Sequence, residues 1–224
     1  SGETPVKATF IRQNRTPMLE LFFNGWSMDD HVAHALAGTN DLLAVWDYTG
    51  FDIDLLPLLA GYREIRLTAW SLGVWSAAKY FEDKAVVFSD AIAVNGTLQP
   101  VSAEYGIAPE IFAGTAANWL DERARERFNL RLAGGRTELA AFPRSGRSAE
   151  SQQNELNSLL HNIMDSPIPA NLFRLAVIGS RDRIFPPAAQ RAAWRMTGSR
   201  IAEIDSPHYP FALYPEVAEL EKLG

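Results

Sequence analysis

Ser71 stands between Ala69-Trp70 and Leu72-Gly73, where an apolar run, Glu64 to Thr68, gives way to a helix-compatible run, Val74 to Tyr80. A serine at a sharp strand-to-helix turn, flanked by residues with almost no side chain, is the pattern of a nucleophile elbow. Small neighbours are needed because the serine backbone is strained and strand and helix pass close together. The usual form is G-x-S-x-G; here alanine, the next smallest residue, takes the first place.

A serine hydroxyl is a weak nucleophile and needs a base oriented by an acid. The chain has four histidines, and one of them, His208, lies in the segment Asp205 to Phe211 after the last apolar run. Asp182 lies in Val177 to Pro186, just past the penultimate run. The order Ser71, Asp182, His208, each after a strand, is the order such sites use on a parallel sheet. Taken singly, each residue has an ordinary reading: a turn serine, a loop aspartate before a helix, a histidine satisfied in the core. Asp90, after Val87-Phe88-Ser89, is the alternative acid; Asp205 is too close in sequence to the base. Developing negative charge needs two backbone N–H donors. Leu72 supplies one by position, and Trp26, in Phe22-Phe23-Asn24-Gly25-Trp26-Ser27, supplies the other.

The elements that must place these residues alternate. Strands are expected at Ala8–Ile11 and Leu19–Phe23 (as a hairpin), Leu42–Trp46, Glu64–Ala69, Ala85–Phe88 or Ala91–Val94, Phe173–Ile178 and Ile201–Ile204. Helices are expected at 29–37, 72–82, 187–197 and 214–222, with loop-like links within 47–62. The pattern predicts an α/β fold, a mainly parallel central sheet covered by helices. The segment 98–170 breaks the alternation and reads as an inserted helical lid, with helices Pro109–Thr115, Asn118–Leu132 and Ser148–Met164. Residues 1–97 and 171–224 then form the core.

Within the lid, Arg123, Arg127 and Arg131 recur every fourth residue and share a face, with Arg125 and Arg136 nearby; Leu120, Ala124, Phe128 and Leu132 share the inward one. The arginines are either a solvated face, offset by Asp121, Glu122 and Glu126, or a landing patch for an acidic partner.

Composition bounds the rest. Hydrophobic residues are 47% of 224, enough for a full core, and the net charge of −6 argues against nucleic-acid binding. The absence of cysteine removes disulfides and thiolate metal sites. No run of 18 apolar residues and no N-terminal charged-then-apolar pattern occurs, so a cytoplasmic protein without membrane contact is expected. Asp29-Asp30-His31-Val32-Ala33-His34 lacks zinc-hydrolase spacing and reads as a solvated helix start, so no metal is expected. No dinucleotide or phosphate loop is present, and no cofactor is expected. Ser1-Gly2 reads as a cloning remnant, and Asn95-Gly96-Thr97 as a chance glycosylation sequon.

The motifs Phe23 to Trp26, Ala69 to Trp75, Ala93 to Thr97, Gly106 to Pro109, Ile111 to Thr115, Ser180 to Phe185 and His208 to Phe211 together resemble the BioG family. These are α/β-hydrolases that demethylate pimeloyl-acyl-carrier-protein methyl ester in biotin synthesis. The resemblance covers nearly the whole chain, with gaps around 130–170, and alanine at the first elbow position is similar to the family pattern. It implies Ser71 as nucleophile, His208 as base, Asp182 as orienting acid, and Trp26 and Leu72 as oxyanion donors. It also implies Trp70 and Phe112 in the acyl channel. Arg125, Arg127 and Arg131 are then expected at a carrier-protein contact, on a monomer. The competing readings are a short-chain carboxylesterase or thioesterase on free substrates, and a non-catalytic hydrolase-like binding protein.

Overall fold

The computed structural model describes residues 6–224; Ser1 and Gly2 lie outside them. The elements run β1 (Lys7–Arg12), β2 (Met18–Phe23), α1 (His31–His34), β3 (Asp41–Trp46), α2 (Leu56–Leu59), β4 (Glu64–Trp70), α3 (Leu72–Phe81) and β5 (Asp90–Val94). Four helices follow without a strand: α4 (Pro109–Asn118), α5 (Glu122–Ala133), α6 (Arg136–Ala141) and α7 (Ala149–Asp165). The chain closes with β6 (Leu175–Gly179), α8 (Pro187–Arg195), β7 (Arg200–Ile204) and α9 (Val217–Glu221).

The seven strands form one sheet in the order β1-β3-β2-β4-β5-β6-β7. Every pairing is parallel except β1 with β3. The inner strands are continuous apolar runs buried along their length, as β6 (Leu-Ala-Val-Ile-Gly) shows, because helices cover a parallel sheet. Helix α3 packs on β2 and β4, and α8 on β6 and β7. Phe23, Ala69 and Ala93 are aligned across β2, β4 and β5. The carboxyl ends of these strands therefore open at one edge, where such sheets carry their sites.

The first two strands do not form the expected hairpin. Asp41, at the start of β3, accepts the N–H groups of Asn14 (2.8 Å) and Thr16 (3.4 Å). That pins the link between β1 and β2 against β3, which lies between them, with β1 on its outer side. Of the two candidates for the fifth strand, Ala91–Val94 is the one that pairs, in a strand that begins one residue earlier at Asp90. The helix expected to open at Asn118 opens four residues later, at Glu122. Asn118 ends α4, and the Asp121 side chain caps α5 by accepting from the Arg123 N–H at 2.9 Å. Gly134, at φ 107°, ends α5 in a left-handed turn that suits glycine. The break leaves Leu120 outside a helix and exposed, while Phe128 and Leu132 are buried as expected. Among the described residues no helix is long and apolar enough to cross a membrane.

Candidate active site

Ser71 follows β4 directly and precedes α3. Its backbone sits at φ 60°, ψ −129°, a conformation an L-residue adopts only when its surroundings enforce it. The enforcement is visible. The Ser71 N–H donates to Val94 O at 2.9 Å, and a Cβ on Gly73 would lie 2.4 Å from Phe23 O. On Gly96 a Cβ would lie 2.2 Å from Ser71 O. Glycine at these two positions lets the turn sit against β2 and β5.

His208 Nε2 is 2.9 Å from Ser71 Oγ, and His208 Nδ1 is 2.8 Å from Asp182 Oδ2. A carboxylate only accepts, so Nδ1 of a neutral His208 carries the proton and Nε2 accepts from the serine hydroxyl. Asp182 is held in turn. Its Oδ1 accepts the N–H groups of Ile184 (2.8 Å) and Phe185 (2.9 Å), and its Oδ2 accepts from Gln190 Nε2 (3.0 Å). All three members are buried. Such an arrangement can raise a hydroxyl to a nucleophile and hold a charged imidazole through the reaction.

Asp90 is overturned as the alternative acid. It begins β5, at the end of the sheet away from Ser71, and its carboxylate is bound by Arg174 at 2.7 and 2.9 Å. Asp205 pairs with Arg181 at 2.6 Å.

Trp26 and Leu72 both line the cavity that reaches Ser71, and neither backbone N–H has a protein acceptor among the described residues. Leu72 is the first residue of α3, where backbone N–H groups are unpaired by construction of the helix. The cavity has a volume of about 390 Å³, within the range of small-molecule sites. Its walls are mainly apolar, Phe112, Phe128 and Phe185 among them, and its charged members are Arg131 and Arg183.

Trp70 does not line it. The indole is fully buried, donates to His208 O at 2.9 Å and packs edge-on against Tyr209 and Phe211. It packs against the histidine loop, and the expected place in the cavity wall is not where the structure puts it. The arginines also part company. Arg131 reaches the cavity, Arg127 is exposed along a groove beside it, and Arg125 turns inward to donate to Trp119 O at 2.8 Å.

The Asp29-Asp30-His31 cluster does gather its ligand atoms. Yet Asp29 is buried, contrary to the expected solvated start, with Oδ1 on the His31 N–H (2.9 Å) and Oδ2 on the Gly146 N–H (2.8 Å). Both oxygens tie loops together.

Two supporting residues escaped sequence reasoning. Asn95, at φ 48°, accepts the Gly179 N–H at 2.7 Å through Oδ1. Its Nδ2 donates to His208 O at 2.9 Å. It is buried, so the sequon is inaccessible. Asparagine after a strand, in a position needing a left-handed turn, was the available signal. Gln190 carried none, because its partner Asp182 is met only through the fold.

The family model for the pimeloyl-ACP methyl esterase BioG matches residues 6–220. A malonyl-[acyl-carrier protein] O-methyltransferase of Bacteroides fragilis (strain 638R) is 35% identical over 192 residues; these are 84% of this chain but 39% of that protein, so the chain spans well under half of this relative. The crystal structure of BioG from Haemophilus influenzae superposes with a TM-score of 0.84 at 32% identity, covering 96% of this chain and 99% of that one. The enol-lactonase of Burkholderia xenovorans LB400 shares the fold alone: TM-score 0.67, 14% identity, 97% of this chain and 94% of the other. The chain has the α/β-hydrolase fold and belongs to the BioG family of pimeloyl-ACP methyl esterases.

Proposed function

We propose that this chain is a serine esterase that removes the methyl group from pimeloyl-acyl-carrier-protein methyl ester, with Ser71, His208 and Asp182 as its catalytic triad. The observation that carries the reading is the continuous hydrogen-bonded relay from Asp182 through His208 to Ser71, opening into an apolar cavity. The four helices between β5 and β6 act as a lid over it.

His208 Nε2 takes the Ser71 proton as Oγ bonds to the ester carbonyl carbon. The carbonyl oxygen, now an oxyanion, lies between the N–H groups of Trp26 and Leu72. As the tetrahedral adduct collapses, the bond to the methoxy oxygen breaks, and imidazolium returns the proton so that methanol leaves. A water molecule, deprotonated by His208, then cleaves the acyl-serine and gives the free carboxyl. The apolar walls, Phe112 included, take the hydrocarbon of the seven-carbon acyl chain. Arg127 and Arg131 face the acidic carrier protein, and Arg125 serves the packing of the lid. The methyl transfer that names the Bacteroides relative is assigned to the part of it beyond this chain.

The test is incubation with methyl-pimeloyl carrier protein, read by mass spectrometry. Wild type should remove one methylene equivalent in mass, and folded Ser71→Ala should remove none. A folded wild type that leaves this substrate intact while hydrolysing simple esters would refute the substrate assignment and leave the free-ester reading.

A further inference from the structure

The loop carrying Trp26 is held by α7 and the segment before it, not by the sheet alone. The Trp26 indole N–H donates to Gln152 O at 2.7 Å, and Gln152 Nε2 donates to Ser27 O at 3.2 Å. The Ser27 N–H donates to Glu155 Oε1 at 3.0 Å, and Arg147 Nη1 donates to Met28 O at 3.1 Å. The other oxygen of Glu155 accepts the Tyr48 N–H at 2.9 Å, just past β3. One carboxylate from the helical insert thus bridges two separate loops of the core.

Its setting is costly and built for the task. Glu155 is wholly buried, 0% exposed, and is followed on α7 by the buried Leu156 and Leu159. Burial pushes its carboxyl up, and Arg147 opposes this by donating to Oε1 at 2.6 Å. Arg147 also lies 3.3 Å from Asp47. The two backbone stretches that Glu155 spans each contain a strained residue, Ser27 at φ 73° and Asp47 at φ 66°. An apolar residue at 155 would leave the N–H groups of Ser27 and Tyr48 unpartnered in the interior.

We propose that Glu155 is a positioning residue for the oxyanion site: by clamping the N–H that follows Trp26, it aims the N–H of Trp26 at the ester oxygen. The two peptide planes flanking Trp26 share its Cα. With the later plane fixed by Glu155 and the side chain fixed by Gln152 O, the earlier plane has little freedom left. Electrostatic stabilisation of an oxyanion depends on such preset donors. The inference rests on the esterase reading but not on the identity of the substrate.

The experiment uses p-nitrophenyl butyrate and the full chain, with active sites counted by complete fluorophosphonate labelling. Glu155→Gln places one amide NH₂ where a carboxylate oxygen accepted, so one of the two N–H groups faces a donor. The turnover number per labelled site should fall about 10- to 100-fold, with KM changed less than about threefold, because the donor acts on the transition state. Affinity for a trifluoromethyl ketone, which forms a tetrahedral adduct on serine, should weaken by the same factor as kcat/KM. Gln152→Leu removes the partner of Ser27 O while keeping the buried ion pair, and should show the same split at about three- to tenfold. It decides the matter if Glu155→Gln yields no labelled enzyme. A purely structural role would lower the number of labelled sites and leave turnover per site within about twofold of wild type; that result overturns the proposal. A wild type that neither hydrolyses the ester nor labels overturns the esterase reading together with this one.

Discussion

Replacing Asn95 with alanine removes one small side chain that joins the ends of β5, β6 and the histidine loop. Its Oδ1 is the acceptor of the Gly179 N–H at 2.7 Å, and Asn95 is 1% exposed. The substitution therefore strands a buried donor, at about 1–3 kcal/mol. Alanine must also hold the left-handed backbone at φ 48°, which costs about 1 kcal/mol more. The partners of Nδ2 are less exposed to the loss, because His208 O keeps the Trp70 indole N–H at 2.9 Å and Pro207 O keeps Ser206 Oγ at 2.8 Å. The expected destabilisation is about 2–4 kcal/mol in total, or a fall in Tm of roughly 5–15 °C for a chain of this size. Thermal unfolding followed by circular dichroism, checked by urea unfolding, measures it. A loss below about 0.5 kcal/mol would show that the Gly179 N–H finds another partner, and would refute the claim that Asn95 is its necessary acceptor.

Two further outcomes are expected. Burial, and then the charge of Glu221, raise the Glu20 carboxyl from 4.5 to about 7. The folded chain then holds a proton that the unfolded chain has released, so stability is full below about pH 4.5 and falls as pH rises through 7. Glu20→Gln should flatten that slope and raise Tm at pH 8; an unchanged slope would show that Glu20 is not its source. Arg127→Glu should raise KM for the carrier-bound ester about three- to tenfold. With p-nitrophenyl butyrate as the comparison substrate, an equal change on both would favour a free small-molecule ester over a carrier protein.

Much of the site was legible because its parts are local. The elbow needs small residues next to Ser71, and its strand and helix are contiguous with it. Asp182 and His208 follow apolar runs whose burial in a parallel sheet is written in their composition. The fold class follows from the same runs. What was hidden depends on partners distant in sequence. The placement of β1 turns on Asp41 gripping the link at Asn14 and Thr16, and nothing near β1 announces that. Trp70 is expected in the channel only through the family resemblance, and a strand end does not reveal which neighbour an indole meets. Here the neighbour is a carbonyl 138 residues away. The start of α5 reads four residues early because Asn118 and Asp121 are both competent caps, and Asp121 is the one that accepts from the helix.

The helical insert leaves the sheet after β5 and returns at β6, and these two strands are neighbours paired in register from Ile92 with Leu175 to Val94 with Val177. The sheet is thus continuous across the insertion, and Ser71, Asp182 and His208 all lie in segments outside it. On that ground the insert resembles an exchangeable cassette for engineering new substrate preferences. The grip of Arg147, Gln152 and Glu155 on residues 26–28 and 48 sets the cutting points. A graft that replaces the insert but omits α7 would import a new pocket and dismantle an old loop. One that keeps residues 146–165 and exchanges only what precedes them would leave the N–H groups of Trp26 and Leu72 where they stand.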